Sequence, residues 1–457
     1  MTGDAERENV SSKNASVSAI GIVVTKLIGM PFNMLVSLIV ASALGPIDKG
    51  YLAGVIAFSS FATGLATLGF PAGTKFLISS REYTVKQVGS SALAIGLLHG
   101  LIGTGILGTF LHLGLLGDNI AALNWAWKLL ILILIPLMSC KLIIFRTFAG
   151  NSDFRFENVL ELVSSLLYSI LLVLLVLVFD FGLAGAIIAF GASQITVVIA
   201  TFAVLFANYA PTVSLDLGFC KKAYAYGFRA WFGTLAKRSN LSLDQFLLAI
   251  IAKPEALGNY SVAMTIAKLF WILPQAVAPV LMNRVAESAS NSQIELTTKL
   301  HRAMLLMTGA ASIVVVACTL IVFPLVLPDY SDVPLLLLIL MPGAILLTLY
   351  RVLGSFFSGS GRPGRASLAQ STALIVSLLG YPTLIPLFGG YGAAMISTAT
   401  YLVSYGVMNY LFQRDTAGQR NNLFKPGKTD FDWIALRIST ALVTIRNRVF
   451  KQPSKRS

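Results

Sequence analysis

The chain repeats Pro46-Ile-Asp-Lys-Gly50 as Pro254-Glu-Ala-Leu-Gly258, a shift of 208 residues (46 to 254 and 50 to 258). Pro71 and Pro279 are related by the same shift. A second pair of stretches recurs at almost this spacing and opens the last apolar segment of each half: Gly182-Leu-Ala-Gly185-Ala186 and Gly389-Gly-Tyr-Gly392-Ala393. These repeated motifs predict an internal duplication, which is common among membrane transporters.

The composition predicts a membrane protein. Of the 457 residues, 56% are hydrophobic and 12% are charged, and the mean hydropathy is +0.78. Soluble domains carry about 25% charged residues, and a helix needs ~20 apolar residues to cross a bilayer. Twelve segments are apolar enough: 16–42, 51–79, 88–113, 120–145, 158–179, 183–207, 220–250, 256–283, 303–327, 333–358, 366–387 and 391–412.

The twelve segments predict an all-α integral membrane protein with two pseudo-symmetric six-helix lobes, at residues 16–213 and 214–413. Residues 1–15 are polar and are predicted to be a cytoplasmic segment rather than a cleaved secretory signal. Residues 414–457 form a basic tail. Apolar residues recur at helical spacing from Ile434 to Val449, which predicts an amphipathic helix on the cytoplasmic face, with a disordered basic tail as the alternative.

The positions of lysine and arginine predict the orientation. One set of connections is basic and is predicted to be cytoplasmic: Arg81, Lys86, Arg146, Arg155, Lys221, Lys222, Arg284, Lys299, Arg302, Arg362 and Arg365. The opposite connections hold only Lys49 and Lys253. Both termini are therefore predicted to be cytoplasmic. Because each half has an even number of helices, both halves enter the membrane in the same direction and enclose a cleft between them.

The formal net charge of +14 lies mostly in the cytoplasmic connections and the tail. Anionic lipid headgroups explain it more simply than nucleic acid, so no nucleic-acid partner is predicted. The three cysteines, Cys140, Cys220 and Cys318, show neither paired nor metal-ligand spacing, and no disulfide framework or metal site is indicated. No catalytic residue and no cofactor is predicted. The one ion requirement considered is coupling of transport to Na⁺ or H⁺.

A charged side chain at the centre of a span raises the free energy of membrane insertion by about 2.5–3.5 kcal/mol, so its presence there calls for a structural or functional explanation. Lys26 and Lys268 lie near the middle of the first and eighth segments. The seventh segment contains a cluster of four charged residues: Arg229, Lys237, Arg238 and Asp244. Because the deep set is mainly cationic, it predicts an anionic substrate with a phosphate or diphosphate headgroup.

Other interpretations of these charges stay open. The cations could pair with carboxylates such as Glu161 or Asp244, or line a water-filled cavity for folding reasons. Asp244 is a candidate for coupling to Na⁺ or H⁺, or it neutralises a neighbouring cation. A further group lies in the last turns before cytoplasmic connections, where long side chains are expected to reach the headgroups: Lys75, Lys141, Arg146, Arg284 and Arg351.

The stretches Ala43-Leu-Gly45-Pro46 and Lys253-Pro254-Glu255, with the paired Gly-x-x-Gly-Ala starts, resemble those of polysaccharide or O-antigen flippases. These flippases belong to the multidrug/oligosaccharidyl-lipid/polysaccharide (MOP) exporter superfamily. The resemblance spans roughly residues 16–413. It implies a V-shaped, two-lobed transporter of the cytoplasmic membrane. Such a transporter moves a polyprenyl-diphosphate-linked oligosaccharide to the outer leaflet by alternating access.

The resemblance also carries expectations about the site and the partners. Such flippases have cationic cavity residues on the first, second, seventh and eighth helices. Five residues match by position: Lys26, Arg229, Lys237, Arg238 and Lys268. Membrane lipids, a polysaccharide polymerase and a glycosyltransferase are candidate partners. Related lipid II flippases commonly have two further helices, which disfavours lipid II as the cargo.

Two other functions stay in competition. A drug/cation antiporter of the same superfamily would share the duplication, but it needs membrane carboxylates, and here these amount to Asp244 and Glu161. A membrane-embedded enzyme of glycan assembly would need paired carboxylates or a metal cluster on a sizeable loop. The acidic pairs Asp329-Tyr-Ser-Asp332 and Asp430-Phe-Asp432 lie on a short turn and in the tail, which disfavours an enzyme.

Overall fold

The computed structural model describes residues 2–114, 116, 120, 123–212, 214–287, 290–416, 422–425 and 427. These residues form thirteen α-helices and no strand. The helices are α1 Thr2–Ala66, α2 Phe70–Ser79, α3 Val85–His112, α4 Trp125–Gly150, α5 Phe154–Leu172, α6 Gly182–Tyr209, α7 Leu217–Ile251, α8 Pro254–Ala267, α9 Ile272–Glu287, α10 Ser290–Val326, α11 Val333–Gly359, α12 Gly364–Phe388 and α13 Gly390–Asp415. A π-helical turn at Val173–Val178 extends α5, and a 3-10 turn at Lys268–Trp271 joins α8 to α9.

The predicted all-α fold is confirmed, and each of the twelve predicted segments coincides with one helix or with consecutive helical pieces. Helices α1 to α6 come from the first half and α7 to α13 from the second. Among the described residues, eight helices are long and apolar enough to cross a membrane. The other predicted spans coincide with helical pieces that are interrupted, joined to a neighbour or less apolar. Two of these interruptions, in α1 and after α8, lie beside the cavity described below.

Local chemistry sets several of the helix boundaries. Thr84 and Gln87 form a capping box at the start of α3, in which each side chain bonds the backbone N–H of the other residue. Within α1, Gly45 has φ 72° and ψ 169°, so the backbone turns sharply where the sequence places Pro46 next. Glycine adopts this positive φ at little steric cost, and a proline directly after it supplies no N–H to the preceding turn. The two predicted spans on either side of Gly45 are therefore joined by a kink rather than by a loop.

The repeated motif forms the contact between the two halves at one end of the interface. A Cβ atom added to Gly50 would lie 1.8 Å from the carbonyl oxygen of Pro254. In the reciprocal contact, a Cβ added to Gly258 would lie 1.9 Å from the carbonyl oxygen of Pro46. Only glycine permits such close backbone packing. We call these four residues the proline–glycine crossing, in which α1 meets α8 with pseudo-two-fold symmetry.

A second glycine contact closes the interface at the other end of the membrane span. Gly69 packs against Gly227, and Gly73 packs against Ala223, with backbone carbonyl oxygens where a Cβ would otherwise fit. Gly69 follows Gly50 by 19 residues, which is about 28 Å along a helix. We call this the α2–α7 contact. The first part of α7 thus packs on the first half of the chain, and its later part packs on α12.

An aromatic stack and a hydrogen bond reinforce the α2–α7 contact. The rings of Phe76 and Tyr226 stack with their centroids 3.9 Å apart. Tyr224 hydrogen-bonds Nε2 of His99, which is buried in α3. The two halves therefore contact each other at both ends, and the cleft predicted between them is reduced to a small, partly open cavity in this structure.

Part of the basic tail is attached to the second half. Leu423 is buried, and the Arg302 side chain donates two hydrogen bonds to the backbone oxygen of Asn422, at 2.7 and 2.9 Å. The predicted amphipathic helix at 434–449 lies outside the described residues. The predicted lobe boundary at 213/214 falls in the connection between α6 and α7.

Candidate functional site

A cavity of about 310 Å³ lies between the two halves. We call it the interlobe cavity. The first half contributes polar side chains from α1 and α5, and the second half contributes them from α7, α8 and the following 3-10 turn. The polar lining residues are Asn33, Ser37, Lys49, Tyr168, Gln245, Ser261, Thr265 and Lys268.

Lys49 lines this cavity, which corrects its predicted place in a connection on the outer face. The residue lies within α1, and only 7% of its surface is exposed. Its Nζ donates a hydrogen bond to Oγ of Ser37 at 2.9 Å. The helix continues through Gly45 with a kink, so the motif that was expected to form a turn instead carries Lys49 into the protein.

Lys268 reaches the same cavity because the eighth predicted span is broken beside it. Pro274 has no N–H to bond the carbonyl of Phe270, four residues earlier. Oγ1 of Thr348, from α11, donates to this carbonyl at 3.3 Å. The chain forms a 3-10 turn at Lys268–Trp271 just before the proline, and the half-buried Lys268 lies in the cavity wall.

The interlobe cavity is cationic. Lys49 and Lys268 are among its lining residues, and no aspartate or glutamate of the described residues lines it. Neither lysine forms an ion pair with a described residue. Removing an unpaired ammonium group from water is costly, so the arrangement favours an anionic ligand that supplies the missing counter-charge.

The remaining predicted cations are placed differently. Arg229 is exposed in the first part of α7 and lines neither the interlobe cavity nor the cavity of the first half described below. Lys26 lies in α1, and Lys237 and Arg238 lie in α7. The side chains of these three residues lie outside the described part of the structure.

Asp244 points into the second half rather than into the interlobe cavity. It is 1% exposed, and its Oδ2 accepts a hydrogen bond from the Tyr260 hydroxyl at 2.6 Å. The Tyr260 and Tyr381 hydroxyls each lie 2.9 Å from Oγ of Ser397. These four residues, the Asp244 network, join α7, α8, α12 and α13. Lys268 interacts with Asp244 electrostatically but forms no direct ion pair with it in the described structure.

A second set of hydrogen bonds lies further along the same helices. Nδ2 of Asn240 donates to Oε1 of Gln370 at 2.8 Å. Oγ of Ser377 lies 2.9 Å from Oγ1 of Thr400 and also donates to Oδ1 of Asn240, at 3.4 Å. The centre of the second half is thus rich in buried oxygen atoms, which are the ligand type that hard cations such as Na⁺ prefer.

A cavity of about 470 Å³ lies within the first half, between α1, α4, α5 and α6. We call it the first-half cavity. Lys141 and Arg146 line it, although both were expected to extend towards the headgroups. Nζ of Lys141 donates to Oε1 of Gln194 at 2.5 Å, and Arg146 pairs with Glu157 at 3.1 Å. Glu161, on α5, also lines this space.

A sequence model of the family described as polysaccharide biosynthesis protein matches residues 12–283, which is more than half of the chain. The chain belongs to the polysaccharide biosynthesis protein family. No curated protein matches this chain in sequence.

Solved structures show that this polysaccharide biosynthesis protein has the fold of MOP superfamily transporters. The lipid II flippase MurJ, in an inward closed conformation, aligns with a TM-score of 0.68 at 14% identity and covers 94% of each chain. An inward-facing multidrug resistance MATE family transporter aligns with a TM-score of 0.66 at 16% identity, over 88% of this chain and 98% of that one.

A third similar structure is a MOP superfamily transporter from Pyrococcus furiosus, for which a binding pocket of reverse polarity suggests a different function. It aligns with a TM-score of 0.55 at 16% identity, over 88% of this chain and 96% of that one. At these identities the likeness establishes the fold of this family member, which is a multi-pass membrane protein. Function then depends on the cavities.

Sequence reasoning missed Lys49 and the first-half cavity. The signal for Lys49 was its position in the repeated motif, one residue before the glycine of the proline–glycine crossing. The signal for the first-half cavity was the presence of Lys141 and Gln194 in otherwise apolar helices, with Glu161 on the helix between them in sequence. Neither signal could be interpreted without knowing which helices are neighbours.

Proposed function

We propose that this protein is a flippase that moves a polyprenyl-diphosphate-linked oligosaccharide, the repeat unit of a polysaccharide or O-antigen, across the cytoplasmic membrane. The observation that carries this proposal is the interlobe cavity, in which Lys49 and Lys268 face a shared space that no carboxylate of the described residues lines. A diphosphate supplies the counter-charge and forms charge-assisted hydrogen bonds with lysine. The polyprenyl chain stays in the bilayer while the polar headgroup passes between the lobes.

The two glycine contacts support an alternating-access mechanism. The proline–glycine crossing and the α2–α7 contact close opposite ends of the interface. Separation of one contact while the other holds would open the interlobe cavity to one side of the membrane only. The positions of lysine and arginine favour cytoplasmic termini, and with that orientation the α2–α7 contact is expected on the cytoplasmic side.

The direct test is removal of the protein from its own cells. We expect such cells to lose surface glycan and to accumulate the lipid-linked oligosaccharide, with both defects reversed by re-expression. Surface glycan is measured by staining, and the lipid-linked oligosaccharide by mass spectrometry of extracted lipids. Normal surface glycan without accumulation would contradict the proposal.

The Asp244 network favours a second candidate function, a multidrug or cation antiporter. A buried carboxylate surrounded by hydroxyl groups is the feature that such an antiporter requires. This function predicts a different phenotype, namely sensitivity of the depleted cells to cationic drugs with normal surface glycan. The carboxylate lies outside the interlobe cavity, whose lining lysines would repel a cationic drug, so we favour the flippase.

Within the flippase, we propose that Asp244 couples transport to Na⁺ or H⁺. Asp244→Asn replaces one carboxylate oxygen by an amide group and keeps the size of the side chain, so it is expected to make export independent of the coupling ion. Export is measured in cells with and without Na⁺ and across a range of pH. Wild-type export should depend on one of these ions.

Asp329→Asn is the matched control, since Asp329 is exposed in the turn before α11. It should keep the ion dependence of the wild type. Coupling through Asp244 is wrong if the wild type responds to neither ion, or if Asp244→Asn responds as the wild type does.

A further inference from the structure

The first-half cavity and the interlobe cavity are neighbours. The side chains of Ile56 and Tyr168 line both spaces. Asn33 lines the interlobe cavity, and its Nδ2 donates to Oγ of Ser165, which lines the first-half cavity, at 2.5 Å. A single layer of side chains therefore separates the two cavities, and a ligand headgroup in one lies next to the other.

The two cavities have different electrostatic character. Among the residues that the structure describes, two lysines and no acid line the interlobe cavity. In the first-half cavity, Lys141 is hydrogen-bonded to Gln194 and has Glu161 as a neighbouring charge, and Arg146 is paired with Glu157. Positive and negative groups are thus balanced. The described part of this cavity therefore carries no excess charge with which to attract a second phosphate.

The groups around the first-half cavity suit a neutral ligand that both donates and accepts hydrogen bonds. Glu161 accepts, Lys141 and Arg146 donate, and Gln194 and Ser164 do both. Tyr168 adds an aromatic face beside the interlobe cavity. A sugar carries several hydroxyl groups that donate and accept, and it has an apolar ring face. The volume of about 470 Å³ falls within the range of roughly 300–1,000 Å³ that is usual for ligand pockets.

We propose that the first-half cavity is a sugar-binding subsite, which holds the sugar next to the diphosphate while the diphosphate lies between Lys49 and Lys268. This inference rests on the proposed flippase function and deepens it. In the substrate the sugar directly follows the diphosphate, and in the protein the first-half cavity directly adjoins the interlobe cavity. A hydrocarbon occupant is disfavoured, because it would leave the charged and amide groups of this cavity without partners.

The test compares two probes bound to purified protein. Farnesyl diphosphate carries the diphosphate without a sugar. The second probe is the lipid-linked oligosaccharide extracted from cells that lack the protein. Glu161→Gln and Gln194→Ala are each expected to weaken binding of the extracted oligosaccharide roughly two- to tenfold, the effect of losing one or two hydrogen bonds. Binding of farnesyl diphosphate should not change.

Thr196→Ala is the matched control for Gln194→Ala. Thr196 is exposed on α6 and lies outside both cavities, and within the described structure its hydroxyl bonds only the backbone of its own helix. It should bind both probes as the wild type does. Ser164→Ala is a second variant that tests the subsite with little risk to the fold, because Ser164 lines the cavity and hydrogen-bonds no described residue. It should weaken oligosaccharide binding alone.

Three outcomes would overturn the subsite. The cavity variants could bind the oligosaccharide as tightly as the wild type, they could lose both probes equally, or the loss could extend to Thr196→Ala. If wild-type protein binds farnesyl diphosphate but shows none of these sugar-dependent effects, the flippase proposal stands and only the subsite fails. If the wild type binds neither probe, the flippase proposal itself fails.

Discussion

Lys268→Ala is expected to reduce glycan export roughly tenfold or more, because a hydrogen bond to a charged group contributes about 1.5–3 kcal/mol. Lys268 lies in the wall of the interlobe cavity without an ion-pair partner among the described residues. Its removal therefore takes away a counter-charge for the diphosphate and breaks no ion pair of the described structure. The measurement is surface glycan, together with the lipid-linked oligosaccharide that accumulates in the cell.

Two further variants show whether the effect comes from the charge at this position. Lys253→Ala removes an exposed lysine just before α8 and should export normally. Lys268→Arg keeps the positive charge and should retain part of the activity. Lys49→Ala should resemble Lys268→Ala, because the two lysines line one cavity. Normal export by Lys268→Ala, at normal abundance in the membrane, would remove the interlobe cavity as the diphosphate site.

Gly50→Ala and Gly258→Ala are expected to abolish export and to lower the melting temperature of the purified protein. Each new Cβ would lie less than 2 Å from a proline carbonyl oxygen of the other half. Because the obstacle is backbone, side-chain rotation cannot relieve it. Overpacking costs about 1–3 kcal/mol even where side chains can adjust. The proline–glycine crossing must therefore separate, which leaves the interlobe cavity without its closure at that end.

Gly105→Ala and Gly406→Ala are the matched controls, one in each half. Both glycines lie within helices, and a Cβ added to either meets no atom within 4 Å. Since alanine favours helix more than glycine does, these variants should be as stable as the wild type and export normally. Wild-type export by Gly50→Ala or Gly258→Ala would show that closure at the crossing is not part of transport.

The fold that this chain shares with other transporters does not determine its substrate. MurJ and the MATE transporters have the same architecture as this chain, and the chemistry of their cargo is a property of cavity side chains. In this protein the two lysines line the interlobe cavity and the buried Asp244 does not, although Asp244 interacts electrostatically with Lys268. In the proposed mechanism the cationic site binds the cargo and the Asp244 network couples transport to an ion.

The helical plan was predictable from sequence, because a membrane span must be a long apolar helix whose backbone groups bond one another. The breaks were less predictable. Gly45-Pro46 was expected to form a turn on the outer face, whereas the helix continues through it with a kink and buries Lys49. A local Gly-Pro motif indicates that the chain changes direction. The angle of that change depends on the packing of α1 against α8.

The candidate site was partly predictable. The sequence placed Lys268 at mid-depth because depth follows from residue count along a helix. It could not show that Asp244 faces Tyr260 and Ser397, since those residues come from other helices. Lys141 lies near the end of its span, and its contact with Gln194 rather than with headgroups depends on how α4 packs on α6.

The helices, the repeated motifs and the predominantly positive sign of the deep charges follow from the chain alone, because apolar length, repeat spacing and composition are local properties. Which charges share a space depends on how the helices pack together. Lys49 and Lys268 come from different halves, and they line one cavity because glycines at the proline–glycine crossing let two helix backbones meet closely there. Contacts between distant segments are set by packing, and packing is a property of all the helices together.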